Sequence, residues 1–282
     1  MSDSTLGHVA TEIIASQAPP PGQAKRWSGT RIAGYALMAL WAVLGLGFVA
    51  YLYGAYDPDL YARYLPKLFE GLVVTLILVA LSLFFGALLS VPFAFGRMSK
   101  NPVFWGIAYA YVYFFRGTPL IAQVFLVYYG AGEFRGFFDA IGLWWFFSEP
   151  FYCAVFTFSL NTSAYQAEIL RGAIQSVPRG QWEGGAAMGL PKHVVLWKII
   201  LPQALITSLR PYGNEIVLMI KGSAIASIVT VFDLMGETRR AFSRTFDFQI
   251  YLWAAVIYLI MVETLRRVWD QLELRLTRHL KR

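Results

Sequence analysis

Two long runs without a charged side chain constrain this chain more than anything else in it. Residues 32–56 and 71–96 contain no Asp, Glu, Lys or Arg. Each is long enough, at ~1.5 Å per helical residue, to cross a ~30 Å hydrocarbon layer. Further apolar stretches follow at 102–132, 151–173, 202–232 and 248–266. The order of these stretches predicts an all-α, polytopic membrane protein with six spans. With 57% hydrophobic and 15% charged residues, the chain also falls well below the ~25% charge of soluble domains.

The third run is interrupted at Arg116-Gly117-Thr118-Pro119. There Thr118 can cap and Pro119 can start a new helix. Residues 137–147 are aromatic but too short to span, which predicts an interfacial segment. Residues 1–31 read as a polar, disordered cytoplasmic tail, and no secretory cleavage signal follows them. Residues 268–282 read as a basic cytoplasmic tail anchored by headgroups or by a partner.

The net charge of +7 does not indicate nucleic acid, because of where the charges fall. With the N-terminus inside, fifteen of the 24 Lys and Arg lie on the cytoplasmic side and six outside. The positive-inside rule therefore puts both termini and the 176–202 loop in the cytoplasm. The outer cluster Arg239, Arg240 and Arg244 runs against that rule. Cys153 is the single cysteine, so no intrachain disulfide can form.

The 176–202 segment is polar, basic and punctuated by Gly and Pro. Ser176 can cap a short helix that carries Pro178 in its first turn and ends at Gly189. Pro191 can open a second short helix over 192–199, after which Pro202 restarts the chain as the fifth span. Gly184 and Gly185 each cost a helix ~1 kcal/mol, and close approach of a partner surface is one reason to accept that cost. A plain surface linker is the competing reading.

Glu183, then Gly189, then Ile199-x-Leu201-Pro202 resemble the EAA loop of ABC importer permeases, with Gly184 and Gly185 in place of its two alanines. Five further segments resemble the polar-amino-acid branch of those permeases, the histidine, glutamine and opine type. They are Arg116-Gly117-Thr118-Pro119-Leu120, Asn161-Thr162-Ser163-Ala164-Tyr165-x-x-Glu168, Arg171-Gly172, Gly180-Gln181-Trp182-Glu183 and Asn214-Glu215. The resemblance covers residues 69–267 and implies a five-helix core, to which residues 32–56 add one N-terminal span. It implies a bacterial inner-membrane permease that forms an amino-acid pathway by alternating access. It also implies a second permease subunit (identical or homologous), a cytoplasmic ABC ATPase dimer and an external amino-acid-binding protein. By resemblance the ATPase couples through Gly180, Gln181, Glu183, Gly184, Gly185, Gly189, Leu201 and Pro202. No Gly-x-x-x-x-Gly-Lys-Ser/Thr pattern occurs, so this chain cannot supply an ATP site by that motif; the resemblance implies that ATP and Mg sit on the partner ATPase and that this chain binds no cofactor of its own.

Polar and ionisable groups in spans are functional candidates. Arg116, Thr118, Glu168, Asn214 and Glu215 are the candidates for the substrate path. Each has a structural alternative: Glu168 can pair with Arg171 across one helical turn, Arg116 can anchor a helix end, and Glu215 can be a buried pair with the partner permease. An intramembrane enzyme is disfavoured because His8, His193 and His279 all fall outside the spans. A stand-alone secondary transporter or channel subunit is the other alternative.

Overall fold

The computed structural model describes residues 28–54 and 56–278. Among them all regular structure is helical, in two units, up to Tyr56 and from Asp57 onward. The first unit contains α1, Gly29–Gly54, in which no residue is buried. An apolar helix that buries nothing of its own has lipid as its natural solvent.

The second unit opens with α2, Pro58–Arg97, a 40-residue helix whose first turn is capped by the Asp57 carboxylate. Two helices follow, α3 (Pro102–Gly117) and α4 (Leu120–Glu133), bent by 103° from one another. Two short helices, α5 (Arg135–Ala140) and α6 (Trp144–Phe147), carry the aromatic segment. Then comes α7, Pro150–Ser176, which packs against α2, α3, α4 and α10.

The helices α1, α2 and α12 (Gln249–Leu276) are long and apolar enough to cross a membrane, and there are five such spans if each bent pair counts as one. The expected fourth span, α7, is not among these because it carries Asn161, Thr162, Ser163, Gln166 and Glu168. Thr157, Thr162, Ser163 and Ala164 on it are fully enclosed by neighbouring helices. A helix walled off by protein does not need an apolar surface of its own.

Close helix approach makes that enclosure possible. The buried stripe of α2 includes Gly71, Thr75, Ser82, Gly86, Ser90 and Ala94. Small residues at this spacing let helix backbones approach closely within a membrane. A Cβ on Gly86 would collide with the Thr162 methyl group and press on Gln166. The main apolar cluster around this contact contains Leu78, Val79, Val124, Phe158, Met219 and Ile220.

The bend at Arg116–Pro119 is built differently from the expected cap. Thr118 closes α3, donating its hydroxyl to the Phe114 carbonyl at 2.8 Å, and Pro119 sits in the cap position of α4 without a side-chain bond. Because Pro119 has no N–H, the Phe115 carbonyl loses its helical donor. The Asn161 amide (2.9 Å) and the Gln123 amide (3.0 Å) donate to it instead.

The 176–202 loop also departs from its expected form. Ser176 ends α7 and donates back to the Ala173 carbonyl; it caps nothing downstream. The next helix, α8 (Arg179–Ala187), has Pro178 in its cap position. Gly189 adopts φ +73°, and the Leu190 and Gly189 amides donate to the Gly185 and Ala186 carbonyls. That pair of bonds is the Schellman closure for which a left-handed residue is required.

The second short helix is not separate from the fifth span. α9 (Lys192–Val195) runs through a π-turn at Leu196–Ile200 into α10 (Leu201–Ser223). Leu201 N–H reaches the Leu196 carbonyl, and the Gln203 side chain serves the Ile199 carbonyl. Pro202 therefore lies inside a continuous helical path, in the first turn of α10, where a proline without an N–H is tolerated.

A 3₁₀ turn (Ala224–Val229) and left-handed Thr230 redirect the chain into α11, Leu234–Thr245. Arg239, Arg240 and Arg244 thus lie on a helix. Residues 268–276, expected as part of a tail, continue α12.

Gly86→Leu should force α2 and α7 apart at a cost of ~1–3 kcal/mol. Its melting temperature in detergent should fall by several degrees, while Gly106→Ala, at a glycine with nothing within 4 Å of its Cβ position, should not fall. Equal melting of Gly86→Leu and the native chain would contradict this packing.

Candidate functional site

The candidate residues gather into two regions, one on the loop and one around α7. The loop is a folded platform. Ala173, Ile174, Val177, Val195, Ile200 and Ala204 form a buried cluster, with Trp182 and Leu190 packed against it. This core ties α8 to the end of α7 and the start of α10, so a push on α8 reaches both helices.

The doubled glycine divides between two roles. Gly185 is buried, and a Cβ there would come within 2.6 Å of Val195. The close approach expected toward a partner is therefore met inside this chain for Gly185. Gly184 is exposed, and its Cβ position has nothing within 4 Å. Gly180, Gln181, Glu183 and Gly189 are exposed alongside it. Leu201 is half-buried beside the platform core. Pro202 stands in the first turn of α10.

The second region lies between α2, α3 and α7. Glu168 pairs with Arg171 at 2.6 Å, as its spacing suggested, and also with Arg97 of α2 at 3.1 Å. Arg97 lies over the rings of Tyr109 and Trp105, at 4.9 and 5.4 Å from their centroids. Arg116 is exposed, lies 5.1 Å from the Tyr165 ring centroid and forms no ion pair among the described residues. Arg97, Arg116, Tyr109, Tyr113, Tyr165 and Glu168 border one open cleft of about 280 Å³. With Glu168 already held by two guanidinium groups, Arg116 offers this cleft an unpaired guanidinium, and the Arg97 Nη1 is also without a hydrogen-bond partner among the described residues.

Glu215 is buried within the protein at 5% exposure. Its carboxylate accepts the Thr162 hydroxyl at 2.7 Å, and Gln166 donates to the same hydroxyl oxygen at 3.1 Å. Its partner in this structure is thus α7. Asn214, one residue earlier, is exposed in a different cleft between α10 and α12, beside Arg210, Trp269 and Glu273. Thr118 serves the α3–α4 bend, where the Gln123 amide reaches its hydroxyl at 2.7 Å.

Neighbouring candidates in sequence are thereby separated, and distant ones are joined. Arg97, Gln123 and Tyr109 were not singled out from sequence, and Tyr165 entered only as part of a motif. Arg97 looks there like an ordinary positive-inside charge, and Gln123 like a stray polar residue. Pro119 offered the one usable signal for Gln123, because it leaves the Phe115 carbonyl in need of a donor.

The comparisons agree with this architecture. Residues 82–278 match the family described as binding-protein-dependent transport system inner membrane component. The chain is 40% identical over 213 residues to the nopaline transport system permease protein NocM of Agrobacterium fabrum, covering 75% of this chain and 88% of that protein. It is 38% identical over 199 residues to the arginine ABC transporter permease protein ArtM of Escherichia coli K12, covering 71% and 89%. A solved amino acid ABC transporter, described as a crystal structure with histidines, superposes with TM-score 0.69 at 32% identity, over 78% of this chain and 99% of that one. The matched family, the shared core of α2–α12 and the extent of these alignments lead to one conclusion: the chain belongs to the inner-membrane permease components of binding-protein-dependent ABC transporters.

Proposed function

We propose that this permease imports a polar amino acid or an amino-acid derivative. It pairs with a second permease subunit, takes solute from an external binding protein and is driven by a cytoplasmic ATPase pair seated on α8. Both termini and the 176–202 platform face the cytoplasm, in keeping with the positive-inside count. The observation that carries this reading is the platform itself. An exposed face with Glu183 and Gly184 sits on a packed core shared with α7 and α10. A rigid platform converts closure of an ATPase pair into displacement of two spans, whereas a flexible loop would absorb it.

Arg116 supports the substrate class. An unpaired guanidinium in a cleft suits a carboxylate, which every amino acid carries. Glu215, buried against Thr162 of α7, is the acidic group proposed for the ammonium end of the solute. Nopaline and arginine, named for the relatives, are the first solutes to test. Membership of the family disfavours a stand-alone secondary transporter or channel.

Three outcomes are expected. Glu183→Arg should abolish co-purification of the ATPase without lowering the amount of permease in the membrane; full co-purification would remove the platform from the coupling role. Glu215→Gln keeps the shape of the side chain and loses its charge. It should cut solute uptake about 10-fold, ~1.4 kcal/mol, with assembly intact; unchanged uptake kinetics would exclude Glu215 from the path. Alkaline phosphatase joined after Thr245 should be active and joined after Arg278 inactive, and the reverse pattern would invert the topology.

A further inference from the structure

One face of α10 is polar where a span usually meets lipid. Thr207, Arg210, Asn214 and Lys221 are exposed on it. At ~100° of turn per residue they fall within about 60° of one another, so they form a single stripe along the helix. Ser208, Glu215 and Met219, buried against the rest of the chain, lie on another face. Glu215 and Lys221 therefore have different surroundings.

The stripe is one wall of a groove, and α12 is the other. Arg210 pairs with Glu273 at 2.6 Å, and the Trp269 indole donates to the Leu209 carbonyl at 2.8 Å. An opening of about 450 Å³ between the helices is bordered by Arg210, Asn214, Arg266, Asp270 and Glu273. Arg266 and Asp270 approach to 3.5 Å across one turn of α12. The ionic groups of this lower part are thus satisfied among themselves.

Lys221 is different. The two helices run antiparallel, with Ser223 beside Tyr258. Counted along the pair from the Leu209–Trp269 and Arg210–Glu273 contacts, Lys221 stands level with residues 257–262 of α12. Residues 248–262 contain no Asp, Glu, Lys or Arg. Lys221 is thus ~16 Å along α10 from Arg210, at the depth of the hydrocarbon. It is exposed and has no hydrogen bond or ion pair among the described residues.

A lysine at that depth needs water or an acid beside it. Acyl chains supply neither. An identical second permease subunit fits poorly, because a stripe that faces its own copy brings Lys221 and Arg210 toward like charges. Lysine is also depleted at the cores of subunit contacts. The Glu273 carboxylate is already taken by Arg210. We infer that the α10–α12 groove is the inner, cytoplasm-facing stretch of the solute path, filled with water as far as Lys221, and that Lys221 is a specificity-determining residue which gives this stretch a preference for anionic groups over cationic ones. This deepens the importer reading and the topology proposed above, and rests on both.

The test uses the complete transporter, with its ATPase subunits and binding protein, in nanodiscs. Asn214→Cys and Lys221→Cys are each treated with two water-soluble methanethiosulfonates, one carrying a sulfonate and one a quaternary ammonium. The native chain, whose single Cys153 is buried, gives the background. Both introduced cysteines should react. At low salt Asn214→Cys should react faster with the anionic reagent. Adding Lys221→Glu should shift the anionic-to-cationic rate ratio about fivefold toward the cation, the effect of reversing one charge ~10 Å away in a medium as polar as water. Lys221→Arg should keep the native ratio, whereas a lysine with a merely structural role would leave the ratio unmoved by either change. Reaction only with a lipid-soluble maleimide assigns the stripe to lipid, and protection of both cysteines from every reagent assigns it to a subunit contact; either overturns the inference. A ratio unchanged by Lys221→Glu overturns the charge preference. ATP-driven uptake of nopaline and of arginine by the native complex is measured alongside. Failed labelling with uptake intact removes this inference alone, whereas absence of uptake of both removes the importer reading on which it rests.

Discussion

Inside a bilayer every polar group must find its partner within the protein, and this fold is arranged around one helix that meets that demand for the others. The side chains of α7 serve four neighbours, α2, α3, α4 and α10. Asn161 donates to the Phe115 carbonyl that Pro119 leaves without a helical donor. Thr162 donates to Glu215 on α10. Glu168 holds Arg97 of α2. Such a helix tolerates little lipid contact, so it has to be enclosed. The small-residue stripe of α2, with Gly86 against Thr162, allows backbones to come close enough to enclose it. Polarity on α7 and small size on α2 are thus two sides of one constraint.

The same economy runs through the 176–202 platform. Two of its glycines have distinct physical reasons. Gly189 is there for a left-handed closure that pairs the last carbonyls of α8, and Gly185 for contact with Val195. The π-turn at Leu196–Ile200 joins the short helix to α10 without a break, so the platform and the span move as one piece. The result is a short surface helix whose exposed face is free for a partner while its inner face is fixed to two spans. Force applied at the surface has a packed route inward, through Ile174, Val195 and Ile200.

The N-terminal half of α2 is the scaffold on which α11 packs, with Gly71, Thr75 and Tyr64 as its contact points. The arginines of α11 point away from that scaffold, which is why they stay exposed although the helix is half-buried.

Much of this could be read from the chain alone. Uncharged length determined the all-α membrane class, because backbone hydrogen bonding in lipid leaves a helix few alternatives. Charge placement indicated a topology, and the spacing Glu183, Gly189, Leu201-Pro202 marked the platform. The Glu168–Arg171 pair was legible because helix geometry alone brings i and i+3 together. Ser176, Thr118 and Pro202 were misjudged because several donors compete for each backbone end, and local propensity does not say which one wins. The links that join α2, α3, α4 and α10 to α7 depend on contacts between residues 38 to 83 positions apart in the chain. Only packing brings Gln123 to Asn161, Arg97 to Glu168 and Thr162 to Glu215. Sequence determined which segments enter the membrane, through solvation. Tertiary structure decided which polar groups inside it are already satisfied and which, like Arg116, are left for something else.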